Sequence, residues 1–239
     1  MKKIPCLIAI LSFFLLTGCT KNYKSVTEYE SAIKAIKKPS LTIEASQKLG
    51  TVELYYKTQA KNDKWKTQTS MNNGNSYMTT VLYDGEEILT YSQGSPYAIK
   101  NPFMETLSDA DEDTKISAIN MQNPTSPLLN WQNGFGVVGL GLANDTSEFI
   151  NNKDNRNGFD CRLIKLGDNE EACISDKYGI AVYHKVKTEK GELEINLIKI
   201  DTTNLSESEF ELPQGVKKMD FEKMLETLSD QIESVKNMY

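Results

Sequence analysis

The chain has 239 residues, and its 27 Lys and Arg against 33 Asp and Glu give a formal charge of −6. That length suits one domain, and an acidic balance without a basic stripe excludes the nucleic-acid-binding classes. A hydrophobic content of 39% in regular spacing excludes a disordered chain.

The chain opens Met1-Lys2-Lys3 and continues IPCLIAILSFFLLTGC. A basic start, a short apolar run and a small-residue exit are the three parts of a secretory signal. The run is too short for a membrane span, which needs about 20 apolar residues. Its end, Leu16-Thr17-Gly18-Cys19, resembles the bacterial lipobox. That resemblance implies a signal peptide at residues 1–18, diacylglyceryl transfer to the Cys19 thiol, and acylation (palmitate) of the amine that cleavage frees. Residues 19–24 are then a lipidated anchor and spacer. More than one acyl chain on a single residue gives stable membrane attachment. The expected location is therefore a membrane surface outside the cytoplasm. Thr20 is not the aspartate that retains some lipoproteins in the inner membrane, which points to the periplasmic face of the outer membrane in a host with two membranes.

Ser25-Val-Thr-Glu28 reads as a capping box opening a helix, with Val26, Tyr29, Ile33 and Ile36 on one face. From Leu41 the period changes to two. LTIEASQ, TVELYYKT, KWKTQTS, SYMTTVLY and EILTYSQ are strand candidates, and Tyr83-Asp84-Gly85-Glu86 is a hairpin turn. Residues 101–157 read as a helical and loop insertion. Within it Asp109, Asp111 and Asp113 imitate the start of a calcium loop, but Thr114 stands where a glycine is needed and Asn120 where a bidentate Glu is needed. The run is expected to be a solvated loop. The apolar residues Leu128, Leu129, Trp131, Phe135, Val138 and Leu140 have two readings: a cover packed over the sheet, or the lining and lid of an apolar cavity. Gly134-x-Gly136-x-x-Gly139 spells a dinucleotide loop, but no β-branched strand precedes it, and an exported chain meets no cytoplasmic cofactor pool.

Strands resume with FDCRLIKL, EACISDK and GIAVYHKVKT. Cys161 and Cys173 are the even pair left in an exported chain and flank a turn at Gly167-Asp168-Asn169, which predicts a disulfide between opposed cross-strand residues. In ELEINLIKI the alternation of Leu193, Ile195 and Leu197 slips at Ile198, which predicts a bulge. Residues 217–239 carry an amphipathic helix with Phe221, Met224, Leu225, Leu228, Ile232 and Val235 on one side, expected to pack on the core in preference to a partner. The single His184 lies in a strand without a visible catalytic partner, so no enzyme, cofactor or metal site is expected.

The capped helix, the meander VELYYK…DKWKTQ…TTVLYDGEEILTY, and ACISDKYGIAVYHKV…EINLIKI…SEFELPQGV together resemble the LolA/LolB-like bacterial lipoprotein carriers and receivers. The resemblance implies an α+β fold over residues 25–216: a curved antiparallel β-sheet, or half-open barrel, with helices on its concave face. The helix at 217–239 is then an addition. It also implies an interior that binds acyl chains of a lipid or lipoprotein, or, as an alternative, a tethered interaction or sensor module gripping an envelope protein. The arginine that holds the lid of the soluble carriers has no counterpart near Lys64-Trp65-Lys66. An anchored chain also cannot shuttle, so the resemblance points to a receiver or tethered binder.

Overall fold

The computed structural model describes residues 22–34, 36, 40–71, 77–107, 109–129, 147–189 and 191–236. Residues 1–21, Cys19 among them, and Trp131, Phe135, Val138 and Leu140 lie outside the described residues.

Helix α1 (Val26–Lys34) starts as the sequence suggests. The Ser25 hydroxyl accepts the Glu28 amide at 3.1 Å, and the Glu28 carboxylate reaches back to the Lys24 amide at 2.8 Å. Six strands follow: β1 (Ser40–Leu49), β2 (Val52–Lys61), β3 (Lys64–Ser70), β4 (Thr79–Tyr83), β5 (Ile88–Ser92) and β6 (Tyr97–Lys100). Three short helices come next, α2 (Phe103–Thr106), α3 (Glu112–Met121) and α4 (Ser126–Leu129). The chain returns with β7 (Glu148–Arg156), β8 (Phe159–Gly167), β9 (Glu170–Ile174), β10 (Ala181–Thr188) and β11 (Gly191–Asp201). A 3₁₀ turn at Glu207–Phe210, β12 (Lys217–Met219) and α5 (Phe221–Lys236) complete it.

All the strands form one open sheet in the order β12-β6-β5-β4-β3-β2-β1-β11-β10-β9-β8-β7. Every pairing is antiparallel except β12 on β6. The curved sheet does not close, and with its few helices the architecture is an α+β half-open barrel. Alternation sorts residues between two faces. Ile200, Ile43, Thr58, Thr67, Val81, Thr90, Ile99 and Met219 stand opposite one another across eight strands of the inner face. α1 and α4 pack on this face, where Tyr29, Ile33, Trp65, Leu128 and Leu129 are all buried. A smaller core of Leu82, Leu89, Ala98 and Phe210 lies on the outer face, under a strap at residues 202–216. Lys61 Nζ donates to the Leu205 carbonyl at 2.7 Å and Lys66 Nζ to the Glu209 carbonyl at 2.6 Å, fastening the strap.

Three expectations change. Residues 148–156, assigned to the helical and loop insertion, are the edge strand β7; its sequence is polar because most of it is exposed. The acidic run is not all loop: Asp111 caps α3, its carboxylate accepting the Thr114 amide at 2.9 Å. Cys161 and Cys173 do form a disulfide, with Cα atoms 5.4 Å apart, yet Cys173 stands opposite Leu163. The hairpin turns between Gly167 and Glu170 and is not centred on Gly167, so even with the bulge between Lys165 and Gly167 Cys173 falls two residues from opposing Cys161, and the bond runs diagonally. The other bulge is where the sequence places it: Glu44 pairs Lys199 and Ala45 pairs Leu197, leaving Ile198 extra and half exposed.

Candidate functional site

The inner face divides into a fastened half and an open half. On the fastened side, Arg162 of β8 grips Asp176 with Nε 3.0 Å from Oδ1 and Nη2 2.9 Å from Oδ2. Paired hydrogen bonds of this kind fix geometry as well as charge. The guanidinium stacks 5.0 Å over the Tyr23 ring and 5.3 Å over the Tyr29 ring. The Tyr29 hydroxyl lies 2.6 Å from Asp176 Oδ1 and 3.0 Å from the Ile174 carbonyl. Burial, and then the Asp176 carboxylate, push that phenol well above its usual range. Arg162 and Tyr29 thus tie α1 to β8 and to the end of β9.

A second clamp holds α4. Thr58 Oγ1 lies 2.8 Å from Thr67 Oγ1 and 2.9 Å from Thr125 Oγ1, while Thr67 and Thr125 both donate to Asn123 Oδ1 at 2.9 Å. Three hydroxyl protons serve four contacts, so Thr58 donates to one neighbour at a time. Buried hydroxyls need such partners, and each bond contributes about 1 kcal/mol net. Leu128 and Leu129, expected as cavity or lid residues, are buried beneath this clamp against β10 and β11. They are packing residues of a plug, and Trp131, Phe135, Val138 and Leu140, which follow them in sequence, are not described.

The open half lies at the other end of the same face. A groove of about 400 Å³ runs between α5 and strands β5, β6 and β12, floored and walled by Thr90, Tyr97, Ile99, Met219, Met224 and Thr227. None of the described residues lining it is charged. α5 does not pack into the core as expected: Phe221 is 38%, Leu225 49% and Ile232 60% exposed, leaving an apolar stripe beside the groove. The reason is where the helix is tied. It hangs from a three-residue strand whose Lys218 Nζ reaches Glu87 Oε2 at 2.6 Å and Asp84 Oδ2 at 3.3 Å, with Lys100 Nζ 3.3 Å from Asp220. α1 and α4 already occupy the deeper part of the face.

His184 is buried in β10 with Nε2 2.7 Å from Glu170 Oε1. Glu170 is held below the usual carboxylate range by that hydrogen bond. Among the described residues, no group of three or more His, Cys, Asp or Glu could hold a metal ion. No described helix is long and apolar enough to cross a membrane. Sequence reasoning found the apolar stripe of α5 but missed Ile99 and Met219. The pairing of Met219 with Ile99 joins residues far apart in the chain through a parallel bridge, for which local periodicity carries no signal.

No family model and no curated protein matches the chain. Solved structures do. The structure of the Pseudomonas aeruginosa MucA/MucB complex gives a TM-score of 0.39 at 10% identity, over 80% of this chain and 60% of that chain. A LolA superfamily protein from Nitrosomonas europaea gives 0.31 at 6% identity, over 80% of this chain and 99% of that one. An uncharacterized conserved protein from Thermus thermophilus gives 0.52 at 9% identity, over 82% of this chain and 98% of that one. In fold, the chain is similar to the Thermus thermophilus protein over nearly that protein's whole length.

Proposed function

We propose that the mature chain is a lipid-anchored, non-enzymatic protein of the bacterial envelope, held by Cys19, that takes acyl chains of a lipid or lipoprotein into the α5 groove. One observation carries this reading: an uncharged groove stays open beside an exposed apolar stripe, on a face whose other half the chain closes itself. Each methylene buried there contributes about 0.8 kcal/mol. Met219 and Met224 supply side chains that adapt to chains of differing shape. Native mass spectrometry of the chain from Thr20 onward tests it. Adducts of lipid mass, lost on denaturation and absent in Met224→Asp, are expected. A clean apo mass after incubation with membrane extract would sink the reading.

A protein partner is the second reading, and α5 carries it. Strand addition is blocked at one sheet edge by the bulges of β7, and β12 offers only three residues at the other. On α5, Glu222, Glu226 and Asp230 are exposed against Lys223, which suits a basic amphipathic helix better than an anionic membrane surface. Binding of such a helix without any lipid adduct would favour this reading over the first.

A further inference from the structure

We propose that a cleft on the outer face binds a neutral saccharide, either a free glycan or the head group of a lipid whose chain enters the α5 groove. The cleft, about 780 Å³, lies between strands β3 to β5 and the strap, and Gln68, Tyr77, Tyr91, Gln93, Gln214 and Lys66 line it. That volume is within the range of small-molecule sites.

The lining selects the chemistry. Among the described residues lining it, Lys66 alone is charged and already lies 3.2 Å from Glu209 Oε2, so this lining offers no net charge to an anion or a cation. The side-chain amides of Gln68, Gln93 and Gln214 make no hydrogen bond among the described residues. Each brings two donors and an acceptor, which suits a ligand whose hydroxyls both donate and accept. Tyr77 and Tyr91 add flat apolar rings with polar tips, matching a sugar's C–H face and hydroxyl rim. An acyl chain would leave all three amides unpaired, which is costly.

The mouth is built before any ligand arrives. In one turn the Ser95 amide donates to the Ser92 carbonyl at 3.0 Å, and Gly94 takes φ +79°. In the other the Val216 amide donates to the Pro213 carbonyl at 3.0 Å, and Gly215 takes φ +88°, a conformation that favours glycine. The Lys217 amide then donates to the Pro96 carbonyl at 2.9 Å, clamping one turn to the other. Preorganised walls reduce the ordering cost of binding. Tyr91, Ser92 and Ser95 line both this cleft and the α5 groove, so the two cavities meet at the sheet's rim.

The glycolipid form rests on the acyl-chain reading, whereas the free-glycan form does not. The test uses the full lipidated chain in phosphatidylcholine nanodiscs. Maltotriose and tri-N-acetylchitotriose are titrated while amide hydrogen exchange is followed, and parallel nanodiscs carry a neutral glycosyl diacylglycerol. Slower exchange at residues 91–95 and 214–216 is expected, with affinity at least about tenfold weaker in Gln68→Ala/Gln93→Ala, from the loss of two hydrogen-bonding amides. Protection by the free trisaccharide that persists in Met224→Asp identifies a glycan site independent of the groove. Protection by the glycolipid alone, abolished in Met224→Asp, identifies a head-group site. No protection by any of the three probes, or an affinity unchanged in the double variant, overturns the proposal. Lipid adducts absent from the native mass spectrum, with trisaccharide binding retained, would remove the acyl-chain reading and leave this one standing.

Discussion

The two halves of the inner face use the same sheet and opposite strategies. Under α1 and α4, apolar side chains are buried and two polar clusters that enter the core are matched: Arg162 with Asp176 and two rings, Thr58 with Thr67, Thr125 and Asn123. Along β5, β6 and β12 the apolar groups are left open beneath a helix tied at its first turn. Satisfied buried networks specify one arrangement, whereas elements with few buried contacts lie at the low-stability end of a fold. The contrast teaches where binding belongs: a ligand need not displace the fastened plug, because the open half already offers surface.

The comparison breaks first if the plug proves dispensable. Leu128→Ala empties a fully buried site between α4 and the sheet and is expected to cost about 3 kcal/mol, read from the urea midpoint. A loss under about 1 kcal/mol would mean the plug is loose and the face can open. The disulfide joins residues 12 apart in sequence, and Cys161→Ser/Cys173→Ser is expected to lose about 3 kcal/mol by the chain-entropy argument. That loss should leave ligand uptake at α5 unchanged, because the bond lies at the far end of the sheet.

Much of the fastened half was legible in the sequence, and little of the open half was. Leu41, Ile43 and Ala45 alternate with polar neighbours, and Ser25 to Glu28 announces a capped helix, because both signals are local. Ile198 breaks a period of two and marks its own bulge. β7 was hidden because Asn151 to Asn155 is polar throughout and exposed on an edge. β6 and β12 have four and three residues, too few for any period to show. The groove therefore could not be read: its floor depends on Met219 finding Ile99. The α5 stripe was visible, but its expected burial was not realised, since α1 and α4 fill the core it would have joined.

A pH experiment sharpens the contrast on the open side. Lys218 holds β12 against Glu87 and Asp84. Hydrogen bonds from Lys218 and Lys100 lower the Glu87 carboxyl from 4.5. Burial opposes the same shift in Asp84, but the Glu87 and Glu86 amides and Lys218 prevail and lower it from 3.8. A lowered acid contributes stability that is complete above its unfolded value and is lost as pH falls through its folded value. Glu87→Gln should therefore cost less than about 1 kcal/mol near neutrality, the pair being partly solvated, and the difference from the native chain should vanish once the pH is well below 4.5. Denaturant midpoints of both chains, at about pH 7 and about pH 2.5, decide it. A difference that persists in acid would show that the pairing is not what holds β12.

The smallest stability effect is also the most direct test of the open half. Leu225 and Ile232 are 49% and 60% exposed, so Leu225→Ser/Ile232→Ser removes little buried surface and should move the stability by no more than about 0.5 kcal/mol. If the stripe is a docking surface, the same variant should lose a basic partner helix and keep lipid adducts, since Ile99, Met219 and Met224 still form the groove. If the stripe guides acyl chains into the groove, the adducts should diminish as well. A stability loss of about 2 kcal/mol or more would instead show that α5 packs against the protein in solution, and the division of the face into a closed and an open half would fail.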